Sequence, residues 1–126
     1  MKKWVACMAI AVCGCGGNNL VGTWKGSVTG WDVTVNVKEQ VSSSVVVMTG
    51  VLSTNKATCF NNATLSGSLA ETSVKFGAVG SGSQSSDTVI QIDGEYDGDE
   101  IKGYFEAVSI TNACNQARTP ITLTRQ

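Results

Sequence analysis

The chain has 126 residues, 42% of them hydrophobic, with 14 glycines, one proline and no histidine, which fits one small globular domain with a single core. Nine basic and ten acidic side chains leave a formal charge of -1, so no basic surplus gathers phosphates and nucleic acid is not expected as a partner. Without histidine the usual general base and the commonest neutral metal ligand are both missing, which removes most hydrolase triads and most zinc sites.

Residues 1–14 follow a different pattern from the rest. Lys2 and Lys3 give a basic start, and Trp4 to Val12 form an apolar run of nine residues, about half of what a helix needs to cross the roughly 30 Å of bilayer hydrocarbon. The stretch reads as an export signal rather than a permanent span. No A-x-A cleavage tripeptide follows it. Instead, Val12-Cys13-Gly14-Cys15 resembles a bacterial lipobox, in which an aliphatic residue, a small residue and Gly or Ala precede the cysteine that is lipidated; Cys13 stands where the pattern usually has Ala or Ser. This resemblance implies that residues 1–14 are removed as a signal peptide, that Cys15 carries the lipid (diacylglycerol and palmitate), and that the membrane is reached through it. Residues 15–19 are then lipidated cysteine and tether, and residues 20–126 the folded domain. Gly16, where an Asp would retain a lipoprotein at the inner membrane, implies the outer membrane of a bacterial cell envelope. Gly16 to Asn19 reaches at most about 14 Å.

Cysteine counting agrees. Of five cysteines, Cys7 and Cys13 leave with the leader and Cys15 is taken by lipid, so Cys59 and Cys114 remain. In an oxidising compartment such a pair is expected to form a disulfide, and no C-x-x-C motif points to redox catalysis. The mature region has 7 basic and 10 acidic side chains, a net charge of -3, and its 14 valines outnumber its 5 leucines, a balance that favours strands.

The first expected strand covers Leu20 to Val28. The second is the clearest: from Trp31 to Lys38 every odd position is apolar and every even one polar, the period of a half-buried strand. Shorter alternations follow at Val45 to Leu52, Thr64 to Leu69, Val74 to Val79, Thr88 to Tyr96, Ile101 to Ile110 and Ile121 to Arg125. Gly, Ser, Asn and Asp clusters separate them, among them Ser42-Ser43-Ser44, Gly80-Ser81-Gly82-Ser83 and Asp97-Gly98, and no sustained helical period appears. Eight short, closely spaced strands predict an all-β domain with antiparallel neighbours in a meander.

Such a meander either closes into an up-and-down barrel or splits into a sandwich. Gly22-Thr23-Trp24 lies on the first strand and Arg125 on the last, on the same face as Ile121 and Leu123. A guanidinium over an indole requires those two strands to be neighbours, which closure provides. The arrangement resembles the calycin superfamily, the lipocalins and avidins, where a G-x-W opening strand packs against an arginine from near the chain end; it implies a small antiparallel barrel with Gly22, Trp24 and Arg125 at the closure. The resemblance rests on the two ends of the chain, and the tryptophan ring of a biotin site has no counterpart here. With Thr58-Cys59-Phe60 and the late Cys114, the mature chain is also similar to small bacterial lipoproteins with one bridge, a similarity that carries no activity. The alternative fold is an immunoglobulin-like β-sandwich, but its core tryptophan lies between the bridged cysteines, whereas Trp24 and Trp31 both precede Cys59.

Asp93-Gly94-Glu95-Tyr96-Asp97-Gly98-Asp99-Glu100 holds five of the ten acids. Its start mimics an EF-hand loop, yet Tyr104 stands where the twelfth-position Glu belongs, so a hairpin turning at Asp97-Gly98, with Asp93 and Glu95 facing solvent, is the better reading and no metal site is expected. The serines and threonines have no activating partner and Asn62-Ala63-Thr64 is a chance glycosylation match. Trp31, Tyr96 and Tyr104 read as packing residues. No cofactor and no enzyme activity are expected. Two function classes stay open: a small-molecule binder using the barrel interior, or a structural or protein-interaction lipoprotein, including a protease inhibitor, with a filled barrel.

Overall fold

Alternation from Trp31 to Val37 has a direct structural counterpart: Trp31, Val33, Val35 and Val37 are all buried, while Asp32 is exposed and Thr34 and Asn36 are partly so. A strand built this way must cover one face, and in the computed structural model eight such strands cover one another by closing into a ring. The structure describes residues 19–82 and 87–126. The expected signal peptide 1–14, the lipid site Cys15, tether residues 16–18 and residues 83–86 lie outside the described residues.

The strands are β1 Gly22–Val28, β2 Trp31–Ser42, β3 Val46–Thr54, β4 Asn62–Ala70, β5 Ser73–Ser81, β6 Asp87–Asp97, β7 Glu100–Ser109 and β8 Gln116–Arg125, with one 3-10 turn at Asn112–Cys114. Each pairs antiparallel with the next, and β8 returns to β1, giving a closed up-and-down barrel. The sandwich alternative is thereby set aside, since its two sheets would leave β1 and β8 unpaired. The closing seam is short, with Trp24 opposite Arg125 and Lys25 opposite Thr124.

Most strand boundaries shift outward from the sequence reading, for two physical reasons. β2 continues to Ser42 rather than ending at Lys38, because a bulge between Val37 and Glu39 resets the register so that Gln40 lies opposite buried Met48. One extra residue thus keeps Glu39 out of the interior. β8 begins at Gln116 rather than Ile121, even though Pro120 interrupts it. Its N-terminal half pairs with β7 and lies beyond the short β1 seam, and a proline is tolerated at such an edge.

The interior is lined by one continuous apolar cluster contributed by all eight strands. Tight coiling depends on glycine at close backbone approaches: a Cβ on Gly103 would lie 1.8 Å from the Asp93 carbonyl oxygen, and one on Gly50 1.9 Å from that of Asn36.

Candidate functional site

The end that receives both described chain termini is capped by Trp24 and Arg125. Trp24 is fully buried, and the Arg125 guanidinium carbon stands 4.3 Å from its ring centroid. Tyr96 meets the same indole edge-on at 6.1 Å. Arg125 donates from Nη1 to the Val21 carbonyl at 3.1 Å and from Nη2 to the Asn19 carbonyl at 3.0 Å, and its Nε reaches Asp99 at 3.2 Å. The incoming segment is held from below as well: the indole N–H donates to the Leu20 carbonyl at 2.9 Å, and the Leu20 N–H to the Gln40 side chain at 2.8 Å. Gly22 turns this segment into β1 at φ +138°, where side chains rarely fit, and a Cβ there would come within 3.5 Å of Arg125. The structure therefore brings Gly22, Trp24 and Arg125 together. Tyr96, expected as a packing residue, packs here on Trp24, while the Leu20 carbonyl, the Gln40 side chain and Asp99 complete the clamp with polar contacts that alternation does not mark.

The opposite end is closed by loops. Cys59 and Cys114 form the disulfide, with Cα atoms 5.4 Å apart. In the loop after β3, the Cys59 and Phe60 N–H groups both donate to the Lys56 carbonyl, at 2.9 and 2.8 Å, and the Thr54 hydroxyl to the Phe60 carbonyl at 2.6 Å. This tight coil drives the Phe60 ring into the barrel mouth, where it is fully buried. Trp31 and Phe105 pack beneath at 5.4 Å between centroids, and Lys56 Nζ lies 4.9 Å from the Trp31 ring. Asn55 ties the loop to the first turn, accepting from the Asp32 N–H at 2.7 Å and donating to the Gly30 carbonyl at 3.1 Å.

Between these caps the space is occupied by side chains: Trp24, Trp31, Phe60, Phe105, Met48 and Leu52 are among the largest fully buried residues. Where an inward residue lacks a side chain a neighbour moves in, as the Phe76 ring does at Gly67, 2.8 Å from where a Cβ would sit.

The outer wall carries a shallow groove of about 430 Å³ over β4, β5 and β6, where Gly77 leaves a gap between Ser66 and Gln91; Lys75, Asp93 and Arg118 complete its rim. Arg118 pairs with Asp93 at 3.1 Å and stacks on Tyr104 at 4.4 Å, so its charge is already engaged. Asp93 and Glu95 lie on the outward face of the expected hairpin, Glu95 accepting from the Thr72 hydroxyl at 2.7 Å. Among the described residues no group of three or more His, Cys, Asp or Glu side chains is arranged to hold a metal ion.

Apart from Val21 and Tyr104, the exposed large apolar residues among those described fall in two places. At the disulfide end, Val79, Val89 and Val108 stand in cross-strand register on β5, β6 and β7; Val79 is 60% and Val108 54% exposed, and Ile110 beyond them 92%. At the terminal end Val41, Val45 and Val47 are exposed on the β2–β3 hairpin. Both groups escaped the sequence reading, since alternation does not mark an outward valine.

The class these observations define is an eight-stranded, disulfide-bridged antiparallel β-barrel with a packed interior. No protein-family model matches the chain, and neither a curated protein nor a solved structure matches it.

Proposed function

We propose that the chain is a lipoprotein of the bacterial cell envelope, anchored through Cys15, whose calycin-like barrel has a filled interior and meets a protein partner through its outer wall at the disulfide end. The observation that carries this reading is the contrast between inside and outside. A core of fully buried Trp, Phe, Met and Leu side chains leaves an interior ligand to displace packed groups, whereas the register-matched row Val79-Val89-Val108, extended by Ile110, presents exposed apolar surface among the described residues. Six to eight strand residues, roughly 20–26 Å along the strands, separate that row from the end where the tether enters, and exposed apolar patches of this kind serve protein contacts. The G-x-W strand packed under Arg125 supports the calycin likeness. No catalysis is assigned to the domain.

The test uses the full chain expressed in a bacterium that processes lipoproteins, with a photo-crosslinking side chain at Val108 or, as control, at Lys25 on the outer wall of β1. A discrete adduct is expected from position 108 alone and is lost on Val89→Glu. Equal labelling from both positions overturns the surface. Native mass spectrometry of the purified chain reports on the interior: a stoichiometric small molecule would return the function to ligand binding. Cys15→Ser should abolish lipid labelling and release the chain from membranes, since stable anchoring needs more than one acyl chain.

A further inference from the structure

The β2–β3 hairpin is longer than its sequence pattern requires, and its extension is the only part of the terminal end, among the described residues, where exposed valines sit side by side. Past the bulge at Val37/Glu39 the strands continue through Val41 opposite Val47 to Ser42 opposite Val46. Val41 and Val47 are 60% and 46% exposed, and Val45 in the turn 61%. The turn satisfies part of its own polarity, the Ser43 N–H and hydroxyl both donating to the Val45 carbonyl at 3.2 and 3.3 Å.

One further fact decides what meets this tip. The described chain starts at Asn19, pinned by Arg125 at the same barrel end, and residues Gly16 to Asn19 allow at most about 14 Å between a lipidated Cys15 and that point. Charge does not single out one side of this end: exposed Lys38 and Glu39 adjoin on the hairpin, and at the β6–β7 turn Asp99 and Glu100 pair with Arg125 and Lys102.

We propose that the β2–β3 hairpin is a membrane foot: Val41, Val45 and Val47 enter the interfacial region of the phospholipid bilayer beside the lipid anchor. This rests on the Cys15 anchor of the preceding section. The hairpin gives the anchored barrel a second point of attachment, holding the Val79-Val89-Val108 row away from the bilayer.

The test uses the processed full-length chain in vesicles of phosphatidylethanolamine and phosphatidylglycerol with brominated acyl chains, which quench tryptophan fluorescence at the depth of the bromines. Val45→Trp is compared with Val79→Trp, each against the unsubstituted chain, and Val47→Trp repeats the measurement from the paired part of the hairpin. Interfacial burial of about 5–10 Å predicts quenching at positions 45 and 47 at least about twofold stronger than at 79. Equal quenching, with the diacylglycerol mass present on Cys15, overturns the foot and leaves the anchor standing. Shielding of position 45 without vesicles, in a chain that sediments as a dimer, overturns it in favour of a second copy. A chain whose mass shows no lipid overturns the anchor itself, and the foot with it.

Discussion

The two ends of the barrel solve the same problem with different materials. Each buries a tryptophan under a cation, Trp24 beneath Arg125 and Trp31 beneath Lys56. At the terminal end the cation belongs to the last strand and reaches back to the carbonyls of Asn19 and Val21, so a single guanidinium holds the entering segment, the indole and the closing seam. At the disulfide end the cation sits on a loop, and the loops on either side of Phe60 and Cys114 share no strand ladder; a covalent bridge joins them instead. A directional hydrogen-bonding group suffices where the backbone already converges, and a cross-link is needed where two irregular segments must be held together.

The largest effect is therefore expected from the bridge. Replacing Cys59 and Cys114 together by Ala should lower the unfolding free energy in urea by roughly 3 kcal/mol, with about 4 as the chain-entropy ceiling for a 55-residue loop. Amide exchange should quicken in residues 55–61 and 110–115 while β1 stays protected. A loss below about 1 kcal/mol would mean that Phe60 packing holds this end unaided, and the contrast between the ends would vanish.

Arg125→Ala should come next, at about 1–2 kcal/mol, since it removes both a partly desolvated cation–π contact and two donors to backbone carbonyls. Lys102→Ala is the matched control: its side chain is 70% exposed and pairs with nearby Glu100 at 3.6 Å, so a change within about 0.5 kcal/mol is expected. Equal losses for the two would show that the clamp adds nothing to closure.

Lys56→Ala should give the smallest change, about 0.5–1 kcal/mol by thermal unfolding, because this ammonium lies on the rim and covers Trp31 without carbonyl partners among its described contacts. A loss as large as that of Arg125→Ala would make the two ends equivalent.

Much of this architecture is legible in the sequence. Eight alternating segments became eight strands, the Cys59 and Cys114 pair became the bridge, and Trp24 and Arg125, read as neighbours across the closure, face one another in the β1–β8 register. The misread boundaries have a common cause. Lys38, Glu39 and Gln40 break the alternation, yet the strand continues through a bulge, and Pro120 resembles a stop, yet the strand starts at Gln116. In both places backbone pairing to a neighbour overrides the side-chain pattern, and that pairing has no local signature.

Side-chain periodicity by itself determined that this chain forms strands, how many, and which residues share a face, because a period of two is a property of the extended backbone and needs no partner. Only the tertiary structure decided which face became the interior in ambiguous runs such as Val45-Val46-Val47, where Val46 packs against the core and its two neighbours are exposed. It also decided which large side chains meet inside the barrel. That outcome depends on Phe60 folding in from a loop and on Trp24 and Trp31 capping opposite ends, and such packing depends on how distant strands are brought into register, which no window along the chain contains.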